Sequence, residues 1–130
     1  SKIPLGKGEC LSRGQDLAVL SIGTISKNVE EAIKDLNVSH YDIRFLKPLD
    51  EPLIHEAFTS HKVIVTIEDG TKLGGLGSAI LEFASKHQYT NTVSVMGIDD
   101  VFIEQGSIEE LQSLAKLDSA TIKGVIESYL

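Results

Sequence analysis

The stretch from Lys62 to His87, K-V-I-V-T-I-E-D-G-T-K-L-G-G-L-G-S-A-I-L-E-F-A-S-K-H, decides how this chain folds. Val63 to Ile67 is an unbroken run of β-branched residues, which predicts a short central strand covered on both faces, as in a parallel sheet hidden between helices. Glu68, Asp69 and Gly70 end that strand. A glycine-rich turn with Gly74, Gly75 and Gly77 then leads to Ser78, whose hydroxyl is expected to cap a helix carrying Ile80, Leu81, Phe83 and Ala84. Strand, glycine turn and helix make half of a βαβ unit. Open sheets of this class bind ligands beyond the carboxyl ends of their strands, so this turn is the first place to look for function.

Upstream, residues 1–9 are rich in Lys, Gly and Pro and read as a linker leading into a domain that occupies 10–130. Cys10 and Leu11 are expected to form a short edge strand. Leu17 to Ile22 is a second continuous apolar run, closed by Gly23. Its helix is expected near Thr24 or Ser26, with Val29, Ala32, Ile33 and Leu36 on the stripe that faces the sheet. His40 to Leu46 alternates in the manner of a strand with one less buried face, on which Asp42 and Arg44 sit together. Lys47-Pro48-Leu49-Asp50 turns the chain, and Asp50 is placed to cap a helix that tolerates Pro52 in its first turn. Downstream, Thr92 to Met96 predicts a last strand, Ser107 with Glu110 matches a capping box, and Asp118 or Ser119 is expected to cap a final helix through Ile122, Val125, Ile126 and Tyr129. Strands alternating with helices at this spacing give a three-layer α/β/α domain with a mostly parallel sheet of about five strands.

The bulk properties bound the function. At 130 residues and 42% hydrophobic the chain is one domain with one core. A net charge of −7 without a basic stripe argues against a nucleic-acid partner. One cysteine supports no internal disulfide framework, and no apolar run approaches the roughly 20 residues of a membrane span. We expect a soluble cytoplasmic protein. The sequence opens at Ser1 without a methionine, and we expect a fragment of a longer protein.

Several groups invite a chemical reading. The G-G-L-G turn before a helix start offers backbone N–H groups to an anion, but it lacks the G-x-G-x-x-G spacing and the lysine and hydroxyl of a P-loop, so tight packing or a subunit contact is the preferred role for Gly74, Gly75, Gly77 and Ser78. Glu68 and Asp69 stand where strand meets loop, the usual height of a catalytic carboxylate in this architecture. Neighbouring strand residues point to opposite faces, however, which favours capping, loop hydrogen bonds or an interface salt bridge. Asp99-Asp100, in a loop, reads as solvated or capping. His40, His55, His61 and His87 never stand at the i, i+3 or i+4 spacing of a helical metal site, so no metal is expected. Cys10 reads as a small buried apolar side chain. Ser21, Gly23, Thr24 and Ser26 loosely resemble a flavin phosphate loop, although hydroxyls at a helix start are more often caps.

Three stretches in order carry a family resemblance: D-I-R-F-L-K-P-L-D-E (Asp42 to Glu51), V-T-I-E-D-G-T-K-L-G-G-L-G-S-A-I-L-E (Val65 to Glu82) and G-I-D-D-V-F-I-E-Q-G-S-I-E-E-L (Gly97 to Leu111). Together they resemble the C-terminal domain of the transketolase family, over nearly the whole chain. The resemblance implies a five-stranded mixed sheet whose first strand, at Cys10, is an antiparallel edge. It also implies a larger homodimeric enzyme that uses thiamine diphosphate and magnesium to join pyruvate and glyceraldehyde 3-phosphate with loss of carbon dioxide. In such enzymes the two preceding domains hold cofactor, metal and substrates, so no catalytic, cofactor-binding or metal residue carries over to this chain, which is expected to be inert alone. An assembly role is implied, with Asp42, Arg44, Glu68 and Asp69 as structural or interface charges and the G-G-L-G turn as the candidate position for a regulatory ligand. A split transketolase, a 2-oxo-acid dehydrogenase β subunit, and a free-standing flavodoxin-like or receiver-like module are the alternatives. A receiver is disfavoured because Ser21-Ile22-Gly23 stands where its acidic pair belongs.

Overall fold

The computed structural model describes residues 4–68, 75–96 and 118–130. In chain order the elements are β1 (Glu9–Ser12), β2 (Ala18–Ile22), α1 (Ser26–Ile33), β3 (Ser39–Asp42), α2 (Glu51–Ser60), β4 (Val63–Glu68), α3 (Leu76–Lys86), β5 (Thr92–Met96) and α4 (Ser119–Glu127). They build one five-stranded sheet of order β1-β3-β2-β4-β5. β1 pairs antiparallel with β3, and every other pairing is parallel. The Val63 run forms an interior strand, as its β-branched composition predicts, but the middle position belongs to β2.

Alternation along the strands sorts the side chains into two apolar layers. Val19, Val65 and Ile67 meet Val29 and Ile33 of α1 and Ile122 and Ile126 of α4. On the other face Leu20, Tyr41 and Ile64 meet Ile54 and Phe58 of α2 and Ile80 and Phe83 of α3. Each fully buried side chain of this size contributes roughly 1.5–3 kcal/mol, which is why two continuous apolar strands suffice to hold four helices in place. Among the described residues no helix is long and apolar enough to cross a membrane.

Two local expectations need correction. β3 stops at Asp42 and does not run to Leu46, because Arg44 takes a left-handed φ of 66° and the N–H of Phe45 folds back onto the carbonyl of Ile43 at 2.7 Å. Ser78 does not cap α3; it is exposed inside the first turn, and the helix already starts at Leu76. α1 starts at Ser26 with no side-chain cap from its N-cap residue, Ile25. Asp50 and Asp118 do cap their helices, accepting the N–H of Leu53 at 3.3 Å and of Thr121 at 2.8 Å. The segment before β1 is fastened at Gly8, whose N–H donates to Asp50 Oδ2 at 2.9 Å, while Pro4 and Leu5 are exposed; Arg44 holds Glu9 at the start of β1 at 2.7 Å. The Ser107 capping box, Asp69, Gly74 and Asp99-Asp100 lie outside the described residues.

Candidate functional site

The chain passes from β2 to β3 on one side and then to β4 on the other, so the strand order reverses between β2 and β4. In open α/β sheets the crevice beyond the carboxyl ends at such a reversal is the default ligand position. Here it is flanked by Ser21, Ile22 and Gly23 from β2 and by Glu68 from β4, with Ile22 and Glu68 in register.

Glu68 is nearly buried, and its carboxylate is spent on the protein itself. Oε1 accepts the N–H of Leu76 at 2.8 Å, and Oε2 accepts that of Gly77 at 3.1 Å. An anion over the unpaired donors of a helix N-terminus is favoured by both hydrogen bonding and the helix dipole. The last residue of β4 therefore caps α3 across the intervening turn. Gly75 has a φ of −66°, so a left-handed backbone is not what demands glycine there. Space does: a Cβ on Gly75 would collide with Glu68 Oε1. At Gly77 a Cβ would come within 2.5 Å of Val95 Cγ1, so the second glycine lets α3 lie close on β5. An anion at this position would have a built-in competitor in Glu68.

On the opposite face of the sheet a chain of side chains runs inward from solvent. Glu30 of α1, half exposed, binds His40 Nδ1 through Oε2 at 2.6 Å and accepts the hydroxyl of Ser12 at 3.3 Å. His40 Nε2 lies 2.6 Å from Ser21 Oγ, which lies 2.8 Å from Ser26 Oγ. Ser21 and His40 are both fully buried. Burial pushes the His40 imidazole below its usual range, against the opposing pull of Glu30 and Asp42. A neutral ring beside an ionised Glu30 carries its proton on Nδ1, and Nε2 then accepts from Ser21. Serine, histidine and carboxylate stand in nucleophilic order, but a serine with no exposure meets no substrate. The same bonds close the flavin-loop reading: the Ser21 and Ser26 hydroxyls are turned to each other and to His40.

The other expected groups are structural in their surroundings. Arg44 Nη2 bonds Glu9, and its Nε stands 4.0 Å from Asp42 Oδ2, so these charges tie β1 to the end of β3. The thiol of Cys10 is pushed up by burial and points to the carbonyl of Ser12 at 3.4 Å. His61 bonds the carbonyl of Ala57 at 2.8 Å and Ser39 Oγ at 2.9 Å. His55 and His87, far apart in sequence, meet edge-on at 4.5 Å beside Phe83, and His55 Nδ1 bonds the Tyr89 hydroxyl at 2.5 Å. Among the described residues no three His, Cys, Asp or Glu side chains gather as metal ligands. Hollows of about 780 and 390 Å³ share Gln15, Ser60 and His61 at the amino edge of the sheet, away from the strand reversal.

The sequence profile described as "Transketolase, C-terminal domain" matches residues 6–122. The chain is 47% identical over 127 residues to 1-deoxy-D-xylulose-5-phosphate synthase of Bacteroides thetaiotaomicron, covering 93% of this chain and 20% of that protein. The synthase of Vibrio parahaemolyticus is 41% identical over 128 residues, covering 98% of this chain and 21% of that one. The chain thus spans about a fifth of the length of the curated relatives it matches. Among solved structures, a chain titled "Split gene transketolase, inactive beta4 tetramer" superposes with a TM-score of 0.81 at 28% identity, over 100% of this chain and 44% of that one.

Proposed function

The chain belongs to the family of transketolase C-terminal domains, and from that premise we propose that it is the non-catalytic C-terminal domain of a 1-deoxy-D-xylulose-5-phosphate synthase. The observation that carries this reading is identity of 47% across 93% of the chain to a synthase in which the matched part is one fifth of the whole. The complete enzyme would join pyruvate to glyceraldehyde 3-phosphate in the cytoplasm as a homodimer, using thiamine diphosphate and magnesium held by the preceding domains, and would supply isoprenoid, thiamine and pyridoxal synthesis. This domain lends that enzyme a folded surface.

The internal use of the carboxyl edge supports an assembly role. At the strand reversal Glu68 fills the donors of α3 and Ser21 is sealed, so the described residues leave no reactive group facing the crevice. A regulatory anion at the G-G-L-G turn would have to displace the Glu68 carboxylate. Calorimetry of the 130-residue chain with thiamine diphosphate and magnesium tests the reading, with no binding heat expected. Stoichiometric tight binding, or release of carbon dioxide from pyruvate by this chain alone, overturns it. The likeness to the split-gene transketolase keeps a sibling enzyme as the second reading. Assaying the intact protein with glyceraldehyde 3-phosphate against a ketose phosphate donor separates the two.

A further inference from the structure

The hydroxyl chain behind α1 has a direction, and a direction can be reversed. With Glu30 ionised and His40 neutral, each proton has one place: Ser26 donates to Ser21, Ser21 donates to His40 Nε2, and His40 Nδ1–H donates to Glu30. We propose that Glu30, His40, Ser21 and Ser26 form a proton-operated switch that couples acidification to the hold on the first turn of α1.

The geometry supports each step. Glu30 and Ser26 line a surface hollow of about 410 Å³ with Leu11, Lys27, Glu31 and Lys34, so both ends of the chain reach solvent while its middle is sealed. A proton taken from water adds to Nε2 of His40, and no other bond is made or broken. The ring then has two donors, and Nε2–H must point at Ser21 Oγ. Ser21 turns its own proton to Ser26 Oγ. Ser26, formerly a donor to Ser21, must send its proton into the hollow.

Because Ser26 opens α1, this reversal acts at the helix's entry, where the N–H groups of Ser26, Lys27 and Val29 bond the carbonyls of Gly23 at 3.2 Å, Thr24 at 3.3 Å and Ile25 at 3.1 Å. That turn adjoins the carboxyl edge at the strand reversal. The charged groups acting on His40 are Glu30 from α1 and Asp42 on its own strand, both anionic, while β2 and β1 present Ser21 and Ser12. Lys27 and Lys34 stand on the rim of the hollow. The anions favour the proton, and with Ser26 and His40 as the only side-chain partners of Ser21 among the described residues the hydroxyls must turn.

Hydrogen exchange read by mass spectrometry on the intact protein tests this. Protection of the segment 24–30, normalised to 78–84 in α3 to remove the intrinsic pH effect, should fall about threefold or more as pH is lowered from roughly 7.5 to the point, below the ordinary 6.5, at which NMR shows folded His40 taking up its proton. Ser21→Ala should abolish that fall while leaving the His40 to Glu30 contact in place. Ser26→Ala, at the solvent end, should abolish it too and serves if the buried variant does not fold. Unchanged protection in the parent protein, or the same fall in Ser26→Ala, overturns the proposal.

Discussion

Glu68 Oε1 occupies the space that a side chain on Gly75 would need. A strand end and a helix start are joined by two hydrogen bonds that need the acid to reach over a residue with no side chain.

Replacing Gly75 by Val should therefore destabilise the domain by about 1–3 kcal/mol, through overlap with Glu68 and not through a left-handed backbone. Thermal denaturation should show a Tm lower by several degrees. In a Glu68→Ala background the same change should cost less, since the obstructing oxygen is gone. An equal loss in both backgrounds would place the obstruction elsewhere.

Glu68→Ala should itself cost about 1–3 kcal/mol, because it leaves the N–H groups of Leu76 and Gly77 buried without an acceptor. Added sulfate should raise the Tm of that variant more than it raises the parent's, compared with sodium chloride at equal ionic strength. Identical responses would show that the vacated position does not take an anion.

The pH dependence follows from His40. Its folded-state pKa is depressed, chiefly by burial, below the ordinary 6.5. As pH falls, the unfolded chain takes up the proton first, so this group's contribution is complete above about pH 6.5 and is lost as pH drops toward the folded value. Denaturant unfolding should show stability declining below that point, with at most about 1.4 kcal/mol per pH unit from this residue. His40→Asn should flatten the slope, and an unaltered slope would assign acid sensitivity to other groups.

Asp50 serves two elements at once, one oxygen toward Leu53 and the other toward Gly8. Asp50→Ala should cost about 1–2 kcal/mol as a lost cap and should speed amide exchange at Gly8. Asp50→Asn, with one acceptor oxygen, should restore only one of the two contacts. Slow exchange at Gly8 in the alanine variant would mean that β1 alone holds the lead-in segment.

Local patterns in the sequence were enough for much of this fold. The continuous runs at Leu17 and Val63, the Thr92 strand and the caps at Asp50 and Asp118 are each set by residues a few positions apart. The family resemblance added the antiparallel edge at Cys10. Contacts that depend on strand register were not legible. Ser21, Glu30 and His40 come from three elements and meet only when β2 and β3 align, and their one outward sign was a histidine at the start of a predicted strand. The cap of α3 was sought at Ser78, within the helix start, whereas it comes from eight residues before Leu76. The early end of β3 rests on a left-handed arginine, a conformation its residue type does not advertise.

The bond from Gly8 to Asp50 has a mechanical consequence. Because the backbone just ahead of β1 is fastened to the first turn of α2, a pull on the chain at that point is borne by a helix and not by a slack tether. A unit joined upstream would have its chain anchored to this domain at Gly8, on the residue that caps α2.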